Sequence, residues 1–173
     1  MKTSRTSIWV LALLFLVFLG YLGASYGQLP EMVATHFDLE GHPNGWMSRR
    51  GHLFFILGLG ILFPAVLPGL VALSRFLPDS SLNLPNREYW LSPQRRGETR
   101  AFLGQHALWF SSLAVIFTLG VHHLIVRANL QPGVRLSPLM LWSLVGGLLL
   151  GLALWITILV RRFALPKSSS SRK

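Results

Sequence analysis

The sequence predicts an all-α membrane protein with four transmembrane helices, both termini in the cytoplasm, and a small ordered extracytoplasmic loop between the first two helices. Hydrophobic residues make up 51% of the 173 residues and charged residues only 13%, which is unlike a soluble domain. Four apolar stretches, at 8–26, 53–73, 107–126 and 138–160, contain no Asp, Glu, Lys or Arg. Each is about as long as the roughly 20 residues that cross a bilayer as a helix.

The distribution of basic residues predicts the orientation. Of the 16 Lys and Arg residues, 12 fall in the two terminal segments and between the second and third stretches, and such segments stay in the cytoplasm. Because these residues are dispersed at helix ends, the bilayer is the predicted partner and nucleic acid is not. We expect one domain over residues 1–165 and a disordered basic tail over 166–173. The first stretch is longer than a signal-peptide core, which favours a retained anchor.

Individual helices carry further signals. Pro64 and Pro68 predict a kink in the second helix, as a packing feature or a hinge. Ser92 before Pro93 predicts that the third helix begins there. In the fourth helix, Gly147 and Gly151 have the GxxxG spacing of closely packed helices, within the bundle or across a homodimer through glycine-rich faces.

The loop at residues 28–51 contains the most distinctive local pattern. Residues 34–37 favour an extended conformation, residues 38–41 a turn, and His42-Pro43-Asn44-Gly45 a second turn of type I. Trp46 suits the membrane interface. We therefore expect a compact loop that lies close to the bilayer.

Five of the six histidines are expected at this one face of the membrane. Together with neighbouring polar residues they form the candidate ligand-binding set, which is His36, Asp38, His42, Asn44, Trp46, His52, His122 and His123. Imidazoles beside a carboxylate can bind Zn²⁺ or Cu²⁺ or titrate as a pH sensor, with His36, Asp38 and His42 as metal candidates. Their spacing matches no known ligand signature, and histidines in turns and at helix ends also serve structure.

The second polar segment, between the second and third helices, is expected at the inner face. Its aromatic pair and arginines are typical of an element lying at the headgroups or docking a partner. The candidate residues are Asn86, Arg87, Tyr89, Trp90, Arg95 and Arg96.

Catalysis has little support in the sequence. Ser111 and Ser112 follow His106 on the third helix, but no nucleophile elbow or intramembrane acid accompanies them. The absence of cysteine excludes disulfides and thiolate chemistry. We expect no enzymatic activity and no cofactor.

Both polar segments resemble a known family. LPEMVATHFDLEGHPNGWMSR resembles the LP-x-x-x-x-x-H-[FW]-[DN]-x-x-G-x-[PV]-[DN]-G-[WY] pattern of the bacterial DUF1648 membrane proteins. NLPNREYWLSPQRR is similar to a segment that often follows, and the resemblance covers about residues 20–125. It singles out Leu29, Pro30, His36, Phe37, Asp38, Gly41, Pro43, Asn44, Gly45, Trp46, Asn86, Tyr89, Trp90, Leu91 and Pro93.

The resemblance implies a location in the bacterial cytoplasmic membrane. The family includes SdpI-like immunity and signalling proteins, which protect bacteria against a secreted peptide toxin and can tether a repressor at the membrane. The leading hypothesis is therefore recognition of an extracytoplasmic ligand such as a peptide, transmitted through the second helix to Tyr89 and Trp90. The alternatives are an accessory subunit of a larger membrane complex and a histidine-based metal or proton site.

Overall fold

The computed structural model describes residues 5–74 and 76–164. The order of elements is α1 (Thr6–Tyr26), β1 (Met32–Phe37), β2 (Pro43–Ser48), α2 (Arg49–Ser74), a 3₁₀ turn (Asp79–Ser81), α3 (Arg87–Trp90), α4 (Arg96–Leu130) and α5 (Pro138–Phe163). The predicted tail at 166–173 lies outside the described residues. We call the end of the helices that carries β1 and β2 the hairpin end, and the opposite one the α3 end.

Within the described residues, four helices are long and apolar enough to cross a membrane, namely α1, α2, α4 and α5. This confirms the predicted number of spans and indicates a multi-pass membrane protein. The helices α1, α2 and α5 pack mainly on α4, so the fold is built around this central helix. The largest apolar cluster joins α1, α2 and α4 through Phe18, Leu22, Ile56 and Val115.

Glycines allow side chains of neighbouring helices to approach closely. The ring of Phe18 on α1 lies against Gly60 of α2, where a Cβ atom would clash with it. Between α4 and α5, Leu144 lies over Gly120 and Leu113 lies over Gly151. The GxxxG motif thus packs within the chain at Gly151, as small residues do where helices approach closely.

The two prolines do not interrupt α2, which continues from Arg49 to Ser74. Pro68 has no N–H to donate to the carbonyl of Pro64, four residues earlier. The hydroxyl of Ser111 on α4 instead donates its hydrogen bond to this carbonyl, with the carbonyl of Ala107 as a more distant second acceptor of the same proton. Ser111 therefore satisfies a backbone group that would otherwise face the apolar interior.

Three expectations are corrected by the structure. The fold is mostly helical rather than all-α, because β1 and β2 form an antiparallel hairpin within the ordered loop. The predicted second turn at 42–45 is replaced by strand from Pro43 onward. Gly45 lies directly across from the His36 side chain, so its lack of a side chain serves strand pairing. Helix α4 begins at Arg96 rather than beside Ser92, whose hydroxyl donates to the carbonyl of Tyr89 instead of capping a helix.

Candidate functional site

The turn of the hairpin is organised by Asp38. Its carboxylate accepts hydrogen bonds from the backbone N–H groups of His42, at 2.8 Å, and Glu40, at 3.0 Å. These bonds, that from His42 above all, hold the pKa of Asp38 below its ordinary value. The His42 ring lies 3.6 Å from both the Asp38 and the Glu40 carboxylates. The predicted turn at 38–41 is confirmed, and this cluster is exposed to solvent.

The hairpin is fixed to α4 by a side chain that mimics a strand. Asn129 accepts a hydrogen bond from the N–H of Ala34 at 2.8 Å and donates one to the C=O of the same residue at 2.9 Å. Ala34 is fully buried. Leu29 and Val33 add apolar contacts with α4 through Ile125 and neighbouring residues.

The tip of the hairpin lies against the loop between α4 and α5. The backbone of Leu136 donates a hydrogen bond to the C=O of Gly41. Gly41 has a φ of +87°, and a Cβ at this position would collide with the carbonyl oxygen of Leu136. Glycine is therefore required for both the backbone conformation and the close approach.

The outer edge of β2 is open. Ala34 pairs with Trp46 across the hairpin, and the polar backbone groups of Ala34 point away from β2 toward Asn129. Opposite residues in an antiparallel ladder share this orientation, so the N–H and C=O of Trp46 point away from β1. In the described part of the chain no third strand lies beside β2. The side chains of Asn44 and Trp46 are exposed along the same strand.

A buried chain of polar side chains lies beneath the hairpin, among α1, α2 and α4. Ser25 and His122 are in contact at 2.9 Å between Oγ and Nε2, and His122 Nδ1 lies 3.1 Å from His52 Nε2. All three residues are buried. Beside this chain, the Tyr21 hydroxyl contacts the exposed His123 at 2.9 Å. We call Ser25, His122 and His52 the histidine chain.

The hydrogen-bond directions within the histidine chain follow from where the single Ser25 hydroxyl proton is donated, and the Tyr21 carbonyl is its shortest contact. The Ser25 hydroxyl donates to the backbone carbonyl of Tyr21 at 2.8 Å, so its oxygen accepts from His122 Nε2. A neutral imidazole has one donor and one acceptor nitrogen, hence His122 Nδ1 accepts from His52 Nε2. The chain then ends at His52 Nδ1, an acceptor that is buried and has no hydrogen-bond partner among the described residues.

The candidate ligand residues thus divide into two groups. His36, Asp38, His42, Asn44 and Trp46 are exposed on the hairpin, whereas His52 and His122 are buried below it. Within residues 5–74 and 76–164, no group of three or more His, Asp or Glu residues could hold a metal ion. The metal candidates His36, Asp38 and His42 are therefore not brought together as a three-ligand site.

At the α3 end, the candidate partner residues make contacts within the chain. Asn86 and the buried Trp90 both donate to the C=O of Phe163, each at 3.0 Å, and so bind the end of α5. Arg95 lies 4.0 Å above the Tyr89 ring. Two further candidates are Arg87, which donates to Ser80, and Arg96, which is exposed.

Sequence reasoning did not single out Asn129, Ser25 or Tyr21. Asn129 is an amide three residues after the apolar run that ends at Val126, with no local signal of its partner 95 residues away. Ser25 appears in the sequence as one of several small residues at the end of a span. Their roles depend on which helices are neighbours.

The comparisons with known proteins identify a domain in this region. Residues 12–62 match the model of a family described as a domain of unknown function, DUF1648. The match contains most of α1, the hairpin and the first half of α2, and it confirms the family predicted from the loop motif. Searches of curated proteins and of solved structures find no match.

Proposed function

We propose that the DUF1648 region of this membrane protein is a peptide receptor, in which an extended extracytoplasmic peptide binds as a third strand along β2. The observation that carries this proposal is the open edge of β2 on a hairpin whose other edge is fixed to α4 by Asn129. An unpaired strand edge is a template for another strand. Peptide recognition by strand addition uses this geometry.

Side chains beside the edge supply selectivity. Trp46 is 54% exposed, and Asn44, which is also exposed, lies two residues earlier at the register shift between Gly45 and Pro43. An aromatic ring offers apolar contact area and the amide offers hydrogen bonds. These residues favour a peptide that carries a large apolar residue close to a polar one. The charge distribution along the chain, with most basic residues at the other end of the helices, supports an extracytoplasmic hairpin.

The same geometry provides a route into the membrane. Strand β2 ends at Ser48 and α2 begins at Arg49 without a connecting loop. Arg49 is held by the C=O groups of Leu29 and Glu31. A peptide that displaces β2 therefore moves the first turn of α2, which carries His52. This direct connection supports transmission of occupancy along α2 toward the α3 end.

A proline substitution tests strand addition directly. The N–H of Trp46 points away from β1, so Trp46→Pro removes an outward donor and leaves the hairpin bonds in place. We expect Trp46→Ala to weaken peptide binding through loss of the ring, and Trp46→Pro to weaken it about tenfold further, because a hydrogen bond to the peptide backbone is lost and its acceptor left unpaired. The assay is binding of a library of synthetic extended peptides to the protein in lipid nanodiscs.

The matched control is on the peptide. Methylation of alternate backbone nitrogens removes the donors that face β2 in one register and leaves those that face solvent. Peptide binding should be lost for one of the two methylation patterns and retained for the other. Equal affinity of Trp46→Pro and Trp46→Ala, or tolerance of both methylation patterns, would refute strand addition. A library with no binder at all would count against a peptide receptor.

The histidine chain supports a second candidate function, a buried proton site. With the Ser25 hydroxyl donating to Tyr21, the hydrogen bonds of this chain run in one direction and leave the lone pair of His52 Nδ1 without a partner among the described residues. Adding one proton there converts the pair into a shared imidazolium without breaking the bond to His122. Histidine is the side chain suited to such a change in the neutral pH range.

The test is titration of the imidazole nitrogen signals by NMR in protein labelled at histidine. We expect His52 and His122 to change together as one proton is bound, as interacting groups do. Replacing His122 by Asn should abolish this joint change, whereas His42→Asn at the exposed tip should not. Absence of any change at His52 between about pH 8 and about pH 5 would exclude a proton site that works in this range.

A further inference from the structure

A groove between α2 and α4 lies at the α3 end, far from the hairpin. Its cavity is about 430 Å³, within the range of about 300–1,000 Å³ typical of small-ligand sites. The α2 wall contains Pro68, Val71 and Ala72, and the α4 wall contains Leu103 and Leu108. Apart from Ser74 and Arg100 its lining is apolar, so the groove suits a hydrocarbon chain.

Gly104 leaves this groove open. It lies on the same face of α4 as Arg100 and Leu108, since these residues are spaced four apart. A Cβ atom at Gly104 would meet no atom within 4 Å, whereas Gly60, Gly120 and Gly151 each receive the side chain of a neighbouring helix. The space beside Gly104 is thus not filled by the protein itself.

A second cavity of about 410 Å³ lies toward the polar end of the helices. Arg100 lines both cavities. It forms an ion pair with Asp79 at 2.7 Å and donates to the C=O of Ser74 at 3.0 Å, which fixes it at the boundary. Arg96, one turn earlier on α4, lines the second cavity, is exposed, and forms no ion pair within the described residues. The second cavity therefore carries a net positive charge of one.

From the apolar groove and the cationic cavity that share Arg100, we propose that this chain has a binding site for one anionic glycerophospholipid. An acyl chain occupies the groove beside Gly104, and the phosphate lies near Arg96 in the second cavity. A guanidinium that is free of a carboxylate partner suits a phosphate oxygen. The depth of Arg96 and Arg100, at the ends of membrane-length helices, places the charge at headgroup level.

The test is native mass spectrometry of the purified full chain in detergent, titrated with phosphatidylglycerol, phosphatidylcholine or inorganic phosphate. We expect one tightly bound phosphatidylglycerol and weaker phosphatidylcholine. Gly104→Leu, which fills the groove, should weaken phosphatidylglycerol binding about tenfold, because roughly two methylene groups lose their contact. Arg96→Gln should weaken it about fivefold, the effect of one basic residue near an anionic lipid.

Two substitutions serve as matched controls. Gly58→Leu adds the same side chain on α2 at a position where a Cβ also meets open space, and Arg50→Gln removes an exposed charge at the hairpin end. Both should bind phosphatidylglycerol as the parent does. Equal binding of the two lipids, unchanged affinity in Gly104→Leu or Arg96→Gln, or displacement of the lipid by inorganic phosphate would overturn the proposal. Since Arg96 is exposed, its variant tests the site even where Gly104→Leu does not fold.

Discussion

Replacing Asn129 by Ala should release the hairpin from α4. The substitution removes both hydrogen bonds to Ala34, at 2.8 and 2.9 Å, and Ala34 is fully buried. A buried backbone group that loses its partner costs about 1–3 kcal/mol. Two such groups near a polar surface that water can reach give a total of about 3 kcal/mol, toward the lower end of the combined range.

Hydrogen exchange measures this loss as local opening. At about 1.4 kcal/mol for each factor of ten, a cost of about 3 kcal/mol raises the exchange rate of the β1 amides about 100-fold. The assay is hydrogen–deuterium exchange with mass spectrometry on fragments covering residues 32–37, in nanodiscs. Helix α4 should keep its protection, because the Asn129 backbone is unchanged.

Asn44→Ala is the control, because it removes an exposed amide from the other strand of the same hairpin. Its exchange should match that of the parent protein. If Asn129→Ala also exchanges at the parent rate, the apolar contacts of Leu29 and Val33 hold the hairpin alone. That result would refute the role of Asn129 as the residue that fixes the β1 edge, which the receptor proposal cites.

Three further predictions concern other contacts. Gly41→Ala should reduce the hydrogen-exchange protection of the hairpin more than Gly133→Ala reduces the protection of the loop between α4 and α5. Both glycines have φ above +80°, but only at Gly41 would a Cβ also meet a carbonyl oxygen. Equal losses of protection would contradict a hairpin tip that is docked on this loop. Ser111→Ala should lower the free energy of unfolding by about 1 kcal/mol. This loss should be smaller in a Pro68→Ala background, where the restored N–H can donate to the Pro64 carbonyl in place of Ser111. Additive shifts of the melting temperature in this double-mutant cycle would show that the two positions do not serve the same carbonyl. The pKa of Asp38 is lowered below the ordinary 3.8. The ionised carboxylate therefore stabilises the hairpin fully at pH values above 3.8, and this stabilisation is lost as the pH falls through the pKa of the folded state. Asp38→Asn should therefore remove the acid dependence of hairpin exchange, and a parent-like acid dependence in this variant would contradict the assignment.

The sequence was sufficient for the four spans because uncharged apolar stretches of this length have few alternatives to a membrane helix. It also predicted the extended residues 34–37 and the turn at 38–41, where Asp38 and Gly41 act locally. These features depend on neighbours in sequence, so composition and spacing determine them.

The prediction of a second turn at residues 42–45 was wrong for a physical reason. Pro43 and Gly45 favour a type I turn, but proline is also accepted at the start of an edge strand. The turn is instead closed by Asp38, which accepts from His42, and Gly45 accommodates the ring of His36 across the ladder. Two turns in succession would leave β1 without a partner.

Histidine placement shows where sequence reasoning stops at this site. The charge distribution predicted that His52, His122 and His123 lie at one end of the helices. Which of the adjacent residues His122 and His123 faces inward depends on the rotation of α4 against α1 and α2. The structure buries His122 and leaves His123 exposed, and this rotation also selects Ser25 as the partner.

The central position of α4 has a consequence for membrane insertion. It is the third span to be synthesised, yet the other spans pack mainly on it. Until α4 enters the bilayer, Ser25 and His52 lack their partner His122, and the carbonyl of Pro64 lacks Ser111. Unpaired polar groups in lipid are costly. A nascent chain that stops before α4 therefore exposes unpaired polar groups to lipid, whereas the finished protein pairs them. Membrane quality control can use these exposed groups to distinguish the two.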